Sequence, residues 1–166
     1  MTLEIERLLD KTGWRLLNEL QQNARLSYTE LGQRVGLSLP AVTDRIRRME
    51  EASILTGYHA EIDFERVGLP VQAIVRLESI GGRSCDYVAE QANQIPEVMQ
   101  CDRVIGDDSI VVKVVATSIN HLTKVIDQLS QYGIPTTSIV RSRPTKRYSI
   151  SSEIVEGAGK ETNLSS

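Results

Sequence analysis

The chain is poor in the residues that build metal sites and catalytic centres, with two cysteines and two histidines among 166 residues. Cys85 and Cys101 stand far apart, without C-x-x-C spacing or a paired histidine, a pattern of two reduced thiols rather than a disulfide or a metal site. His59 and His121 lack spaced partners, and no pair of side chains reads as an acid–base dyad or as a nucleophile with its base. The sequence therefore predicts no catalytic residue, no metal and no cofactor, hence no enzyme. Long apolar runs are missing as well: none approaches the roughly 20 residues of a membrane span. Residues 1–10 are too acidic for a signal peptide, so a cytoplasmic chain with no membrane partner is expected. Nor is there an excess of positive charge, the formal net charge being -3 and the pI about 5.5. What remains, 40% apolar and 25% charged residues, is the composition of an ordinary globule, one medium domain or two small ones.

Against this plain background one stretch carries dense local signals: SYTELGQRVGLSLPAVTDRIRRMEEASILTGY, residues 27–58. Ser27 and Glu30 form S-x-x-E, in which hydroxyl and carboxylate each satisfy an orphaned backbone donor at a helix start. The helix so begun carries Leu31 and Val35 on one face and stops at Gly36, which tolerates the positive φ of a helix end. Ser38 then offers a second N-cap, with Pro40 in the first turn, where a missing N–H costs little. Only Gly36, Leu37 and Ser38 separate the two helices, which is the length of a helix-turn-helix.

Spaced at 100° per residue, Val42, Ile46 and Met49 of the second helix form a narrow apolar stripe. Opposite lie Pro40, Thr43, Asp44 and Arg47, flanked by Ala41 and Arg48, while Arg45 sits nearer the edge of the stripe. That face suits a major groove: Arg47 presents a donor fork to guanine and Thr43 a methyl or hydroxyl to a base edge. Arg45 and Arg48 are better placed for phosphates. With Ser27, Tyr28 and Ser38 at the helix starts, these residues make up the expected DNA-binding set. A solvated amphipathic helix would show a similar charge run, and the capped helix and turn before it are what favour DNA. Residues 1–60 hold eight basic and eight acidic residues, so the remaining eleven basic and fourteen acidic ones carry the whole negative excess. Weak local basicity predicts modest affinity per subunit, and tight binding then needs two or more helices on one DNA.

Three stretches together resemble the Lrp/AsnC family of transcription regulators, the leucine-responsive and asparagine-synthetase type: LLDKTGWRLLNELQQNARLSYTELGQRVGLS, AVTDRIRRMEEASILTGY and IGDDSIVVKV, spread over residues 9–148. Three departures stand out. Gly13 replaces an acidic residue usual in the first helix, Ser53 a glycine usual before the wing, and Ser109-Ile110 an acidic–aromatic pair. The resemblance implies an α+β fold: an N-terminal winged helix-turn-helix followed by a ferredoxin-like βαββαβ sandwich domain whose sheets pack together in a dimer. It also implies assembly to dimers and to octamers or similar, and amino-acid effectors bound near the turn Gly106, Asp107, Asp108 and Ser109. On residues alone that turn reads either as a plain hairpin loop or as a cradle for the ammonium and carboxylate of an amino acid; Ser109 and Ile110 remove the usual second acid and the aromatic.

The expected layout is a DNA-binding domain over 1–60 ending in a wing and a strand through Ile62, a linker over 61–70, an effector-binding and oligomerisation domain over 71–150, and a flexible tail over 151–166. A helical turn at 64–68 should close at Gly68, before Pro70. In the second domain, strands are expected at 71–78, 98–105, 109–116 and 136–142, and helices at 84–94 and 119–132, with Ser84 and Ser118 as N-caps and Gly133 with Pro135 ending the last helix. Both helices should cover one face of a four-stranded antiparallel sheet. Arg141, Arg143, Lys146 and Arg147 read as a solvated edge after the last strand, and Trp14 with Leu17 and Leu20 as helix core.

The function expected is that of a sequence-specific regulator binding duplex-DNA operator half-sites as a dimer or higher oligomer, modulated by a small effector such as an amino acid. Two alternatives stay open. Sirohaem decarboxylases are similar to the same family in both domains, and Tyr58-His59 would serve them; a metabolite-sensing module with weak DNA binding is the other.

Overall fold

In the computed structural model the described residues are 3–79, 84–105, 110–144 and 149–155, and they divide into two compact units, 3–60 with 149–155 and the described residues of 61–144. The first unit holds α1 (Leu3–Leu8), α2 (Lys11–Gln22), α3 (Tyr28–Val35) and α4 (Leu39–Glu51). Its core interleaves Leu16 and Leu20 of α2, Leu31 and Val35 of α3, and Val42 and Ile46 of α4. A smaller cluster joins Leu8, Leu17 and Met49, with Trp14, Ile54 and Leu55 packed on it. The stripe read from the sequence is thus the buried stripe: Val42, Ile46 and Met49 are each 0% exposed.

Two glycines are fixed by close approach. A Cβ on Gly13 would lie 1.8 Å from the Leu8 carbonyl oxygen, and one on Gly32 would lie 2.5 Å from that of Leu37. No acidic side chain fits where Gly13 stands, which gives that departure from the family pattern a physical reason. Ser53 has one too. It adopts φ 54 at the end of α4, its N–H bonding the Glu50 carbonyl while the Ile54 N–H reaches back to Met49. This is a Schellman ending, with serine at the left-handed position that glycine usually fills.

Beyond α4 the expected wing strand is not formed: residues 56–63 carry no regular secondary structure and join no strand ladder among the described residues. The turn at 64–68 is present and closes at Gly68 (φ 86), with Asp63 Oδ1 accepting from the Glu65 and Arg66 N–H groups. The expected flexible tail differs in its described part. Residues 152–155 are helical, and the Gln21 amide donates to the Ile150 carbonyl (3.1 Å) and accepts from its N–H (2.8 Å), as a neighbouring strand would. Residues 156–166 lie outside the described residues.

The second unit is a four-stranded antiparallel sheet in the order β2-β3-β1-β4, made of β1 (Val71–Ser79), β2 (Val98–Arg103), β3 (Ile110–Ala116) and β4 (Gly133–Ile139). With α5 (Cys85–Ala92) and α6 (Ile119–Leu129) it follows the βαββαβ order of a ferredoxin-like domain. Ser84 and Ser118 cap the helices, accepting from the N–H of Tyr87 and of His121. Ala73, Val75 and Leu77 of β1 alternate onto the helix-covered face, where they meet Val88 and Ala92 of α5 and Leu122, Val125 and Leu129 of α6. The opposite face bears Ile74 beside Lys113 and Ser138, and Arg76 beside Val111 and Thr136.

β4 begins earlier than expected, because Gly133 does not end α6 but opens the strand opposite Ser79. A Cβ there would come 2.6 Å from the Glu78 carbonyl oxygen, so the glycine serves close strand approach rather than a turn. Pro135 sits in this edge strand, where a missing N–H is tolerated. Arg141 and Arg143 are exposed beyond its end, while Lys146 and Arg147 lie outside the described residues.

Candidate nucleic-acid interface

The turn between α3 and α4 is built as its residues dictate. Gly36 adopts φ 78, and both its N–H and that of Leu37 return to the Gly32 carbonyl. At the start of α3 the Ser27 hydroxyl accepts from the Glu30 N–H (3.2 Å) while the Glu30 carboxylate accepts from the Ser27 N–H (2.8 Å), closing the capping box. The Ser27 hydroxyl, then its N–H, hold the Glu30 carboxyl below its usual pKa. Ser38 occupies the N-cap position of α4 but makes no side-chain cap, so its expected capping bond is absent and its hydroxyl stays at the exposed helix start. Arg15, which sequence reasoning missed, donates to the Arg34 carbonyl at 2.6 Å and ties α2 to the last turn of α3.

The outer face of α4 presents Pro40, Ala41, Thr43, Asp44 and Arg47, all exposed, with Tyr28 at the nearby start of α3 36% exposed. Thr43 returns its hydroxyl proton to the Leu39 carbonyl at 2.9 Å. Arg47 is held between Asp44 (2.8 Å) and Glu51 (2.6 Å) of its own helix, and these hydrogen bonds and charges, Asp44 first, raise its already high pKa. Pairs this exposed are worth little in water, so the guanidinium is held in place yet can exchange partners.

Arg45 is not where the sequence suggested. Its guanidinium turns inward to the α1–α2 junction, donating to the Arg7 carbonyl (3.1 Å), the Leu8 carbonyl (3.3 Å) and the Asp10 carboxylate. Its side chain is 21% exposed and its Nε is buried without a partner among the described residues. A residue on the edge of a helix stripe goes wherever the adjoining helix supplies acceptors, and α1 ends beside it. Its phosphate role is therefore corrected to a structural one. Arg48 stays on the surface, 3.5 Å from Glu4 of α1.

The effector candidates Gly106, Asp107, Asp108 and Ser109 lie outside the described residues; Ile105 before them is fully exposed and Ile110 after them is buried. His121 finds partners that spacing did not reveal: its Nε2 is 2.9 Å from Glu97 Oε1, and its Nδ1 lies 3.1 Å from the Thr117 hydroxyl. Burial, with Asp102 adding to it, pushes the Cys101 thiol up. Among the described residues no group of three or more His, Cys, Asp or Glu is placed to hold a metal, and no helix is long and apolar enough to cross a membrane.

The likenesses to known proteins divide as the fold does. Residues 9–56 match a winged helix-turn-helix DNA-binding model, and residues 72–150 match the Lrp/AsnC ligand binding domain. An uncharacterized HTH-type transcriptional regulator of Bacillus subtilis, YezC, is 38% identical over 134 residues, 81% of this chain and 94% of that protein. The proline dehydrogenase transcriptional activator of Rhodobacter capsulatus is 36% identical over 123 residues, 73% of this chain and 80% of its own length. Among solved structures, a transcriptional regulator of Neisseria meningitidis in complex with L-methionine superposes with a TM-score of 0.81 at 28% identity, covering 89% of this chain and 99% of that one. LrpC of Bacillus subtilis gives 0.79 at 29% identity, covering 84% and 99%. With both of its domains matched in order and a relative of this identity along most of its length, the chain belongs to the Lrp/AsnC family of transcriptional regulators.

Proposed function

We propose that the chain binds operator half-sites in duplex DNA by laying α4 in the major groove. The observation that carries this is the outer face of α4, whose Pro40, Thr43, Asp44 and Arg47 stand exposed over a stripe that is wholly buried. Arg47 reads guanine, Thr43 a base edge through its methyl group, and Arg48 meets a phosphate. Ser27, Tyr28, Ser38 and Ala41 flank the groove.

The charge arithmetic supports assembly to a dimer or a higher oligomer. Eight basic residues in 1–60 are balanced by eight acidic ones, and the arginines of α4 already face carboxylates, so one subunit contributes little binding energy. Self-association, which would use the sheet face not covered by helices, supplies the second reading head. An amino acid bound at Gly106 to Ser109 is the proposed effector, supported by the L-methionine complex of the Neisseria meningitidis relative. It shifts binding by favouring one assembly over another. The site of action is the cytoplasm.

Selection of bound sequences from random duplex DNA, with and without an amino-acid mixture, tests the reading. A recurring pair of half-sites is expected, with Arg47→Ala relaxing the preference at one position; recovery of unenriched sequence would overturn the proposal.

A further inference from the structure

The arginines of α4 differ in where their counter-charges come from. Arg47 is neutralised within its own helix, and Arg45 is fixed at the α1–α2 junction by Asp10 and two carbonyls. Arg48 is balanced from another helix, by Glu4 of α1, at 3.5 Å and with side chains 40% and 68% exposed. That distance exceeds a good hydrogen bond, and an exposed pair of this kind is readily screened or displaced.

Arg48 also lines a groove of about 360 Å³ between α1 and α4. Its cations are Arg7 from α1 and Arg45 and Arg48 from α4, its apolar wall is Leu8, Leu37 and Ala41, and its acidic member, Asp44, is already paired with Arg47. Setting aside the charges matched elsewhere, Arg7 and Arg48 line the groove, and the carboxylate beside them is Glu4, loosely held by Arg48. Ala41 and Asp44 belong both to this groove and to the exposed face of α4, so an anion seated here lies beside any DNA that the helix reads.

We propose that this groove is a clamp for one phosphodiester of the DNA backbone, with Arg7 and Arg48 as its donors and Glu4 as the counter-charge that the phosphate displaces. The clamp rests on the DNA-binding reading and adds to it a residue of α1, a helix outside the helix-turn-helix. Guanidinium groups bind phosphate oxygens bidentately, and two of them surround one phosphate more closely than a carboxylate at 3.5 Å holds one of them. Glu4 thereby makes binding conditional: loose, non-productive encounters leave the Glu4–Arg48 pair intact.

The test is a salt titration of the full-length chain binding duplex DNA, selected and unrelated sequences side by side. Each lost phosphate contact reduces the slope of log K against log salt by about 0.9 per engaged subunit. Because Arg7 and Arg48 share one phosphate, the contact is lost only when both are removed: between about 50 and about 200 mM salt, the double variant Arg7→Ala, Arg48→Ala should lose about 3.5-fold less affinity per engaged subunit than the unmodified chain, about 12-fold less for a dimer, on both DNAs alike. Glu4→Gln should raise affinity at low salt. Arg7 supplies the fold with its carbonyl, which the substitution keeps, and the Arg48 side chain pairs with the exposed Glu4, so urea unfolding of the double variant should match that of the unmodified chain and separates a folding defect from a lost contact. Arg66→Ala, in the second unit, controls for net charge and should leave the slope unchanged. An unaltered slope in the double variant, an equal change in Arg66→Ala, or unchanged affinity in Glu4→Gln each overturns the clamp while the DNA reading stands. Absence of salt-sensitive binding by the unmodified chain overturns both.

Discussion

Removing the Asp10 carboxylate should loosen the DNA-binding unit through two separable losses. Asp10 accepts from the Gly13 N–H at 2.8 Å as the N-cap of α2, and it receives the Arg45 guanidinium. Loss of a cap costs about 1 kcal/mol. An ion pair whose side chains are 21% and 51% exposed adds about 0.5 kcal/mol, so Asp10→Ala should cost about 1.5 kcal/mol in all. Asp10→Asn keeps a competent cap and loses only the charge, about 0.5 kcal/mol. Trp14 is the chain's one tryptophan and packs against the Leu8, Leu17 and Met49 cluster, so its fluorescence during urea unfolding reports this unit. On heating, 1.5 kcal/mol corresponds to about 6 to 12 °C for a unit of this size.

The pH dependence of that loss has a definite sign. Partial burial raises the Asp10 pKa, but the Arg45 hydrogen bond and charge and the Gly13 N–H outweigh it and hold the carboxyl below its usual value. A folded pKa below the unfolded one, about 3.9, gives stabilisation that is full above that pH and fades as pH falls further through the folded value. The gap between Asp10→Ala and the unmodified chain should therefore narrow below about pH 4. Equal costs for Asp10→Asn and Asp10→Ala, or a cost for Asp10→Ala under about 0.5 kcal/mol, would refute the reasoning.

Backbone geometry supplies further expectations. Ser53 holds φ 54, so Ser53→Gly should stabilise by about 0.5 kcal/mol, the relieved strain less the added freedom of the unfolded chain. Gly36→Ala should act in the opposite direction by about 1 kcal/mol, from the torsion alone, because nothing lies within 4 Å of the added carbon. Gly13→Ala should cost more than either, about 3 kcal/mol, since its methyl would stand 1.8 Å from a carbonyl oxygen; urea midpoints rank the three. Arg47→Ala should lose about 1 to 3 kcal/mol of discrimination at one base pair, read by competition between operator and mismatched duplexes, with unrelated DNA bound nearly as before.

Much of the first unit was legible because its signals are local. Ser27 with Glu30, Gly36 at a positive φ, and the Val42, Ile46 and Met49 stripe are each decided by residues within a turn or two of one another. Arg45 was not legible in the same way. Helical geometry puts it at the margin of the stripe, and only the end of α1, some 37 residues earlier, decides that it points inward. Gly133 reads as a helix stop until the Glu78 carbonyl is known to lie against it, and the His121–Glu97 contact joins residues that no motif connects. The segment after α4 reads as a strand, but a strand needs a partner as well as suitable residues, and none of the described segments is one.

By itself the sequence determined where the capped helices start, which face of each is apolar, and that a βαββαβ pattern follows a helix-turn-helix, because capping and periodicity act over a few residues. Tertiary structure alone decided the fate of two of the three arginines of α4. Arg45 is spent on the fold and Arg48 shares a groove with Arg7 of α1, whereas Arg47 is held by neighbours three and four residues away on its own helix. A guanidinium carries the same charge wherever it stands, and only the acceptors that packing brings to it settle whether it is left for DNA.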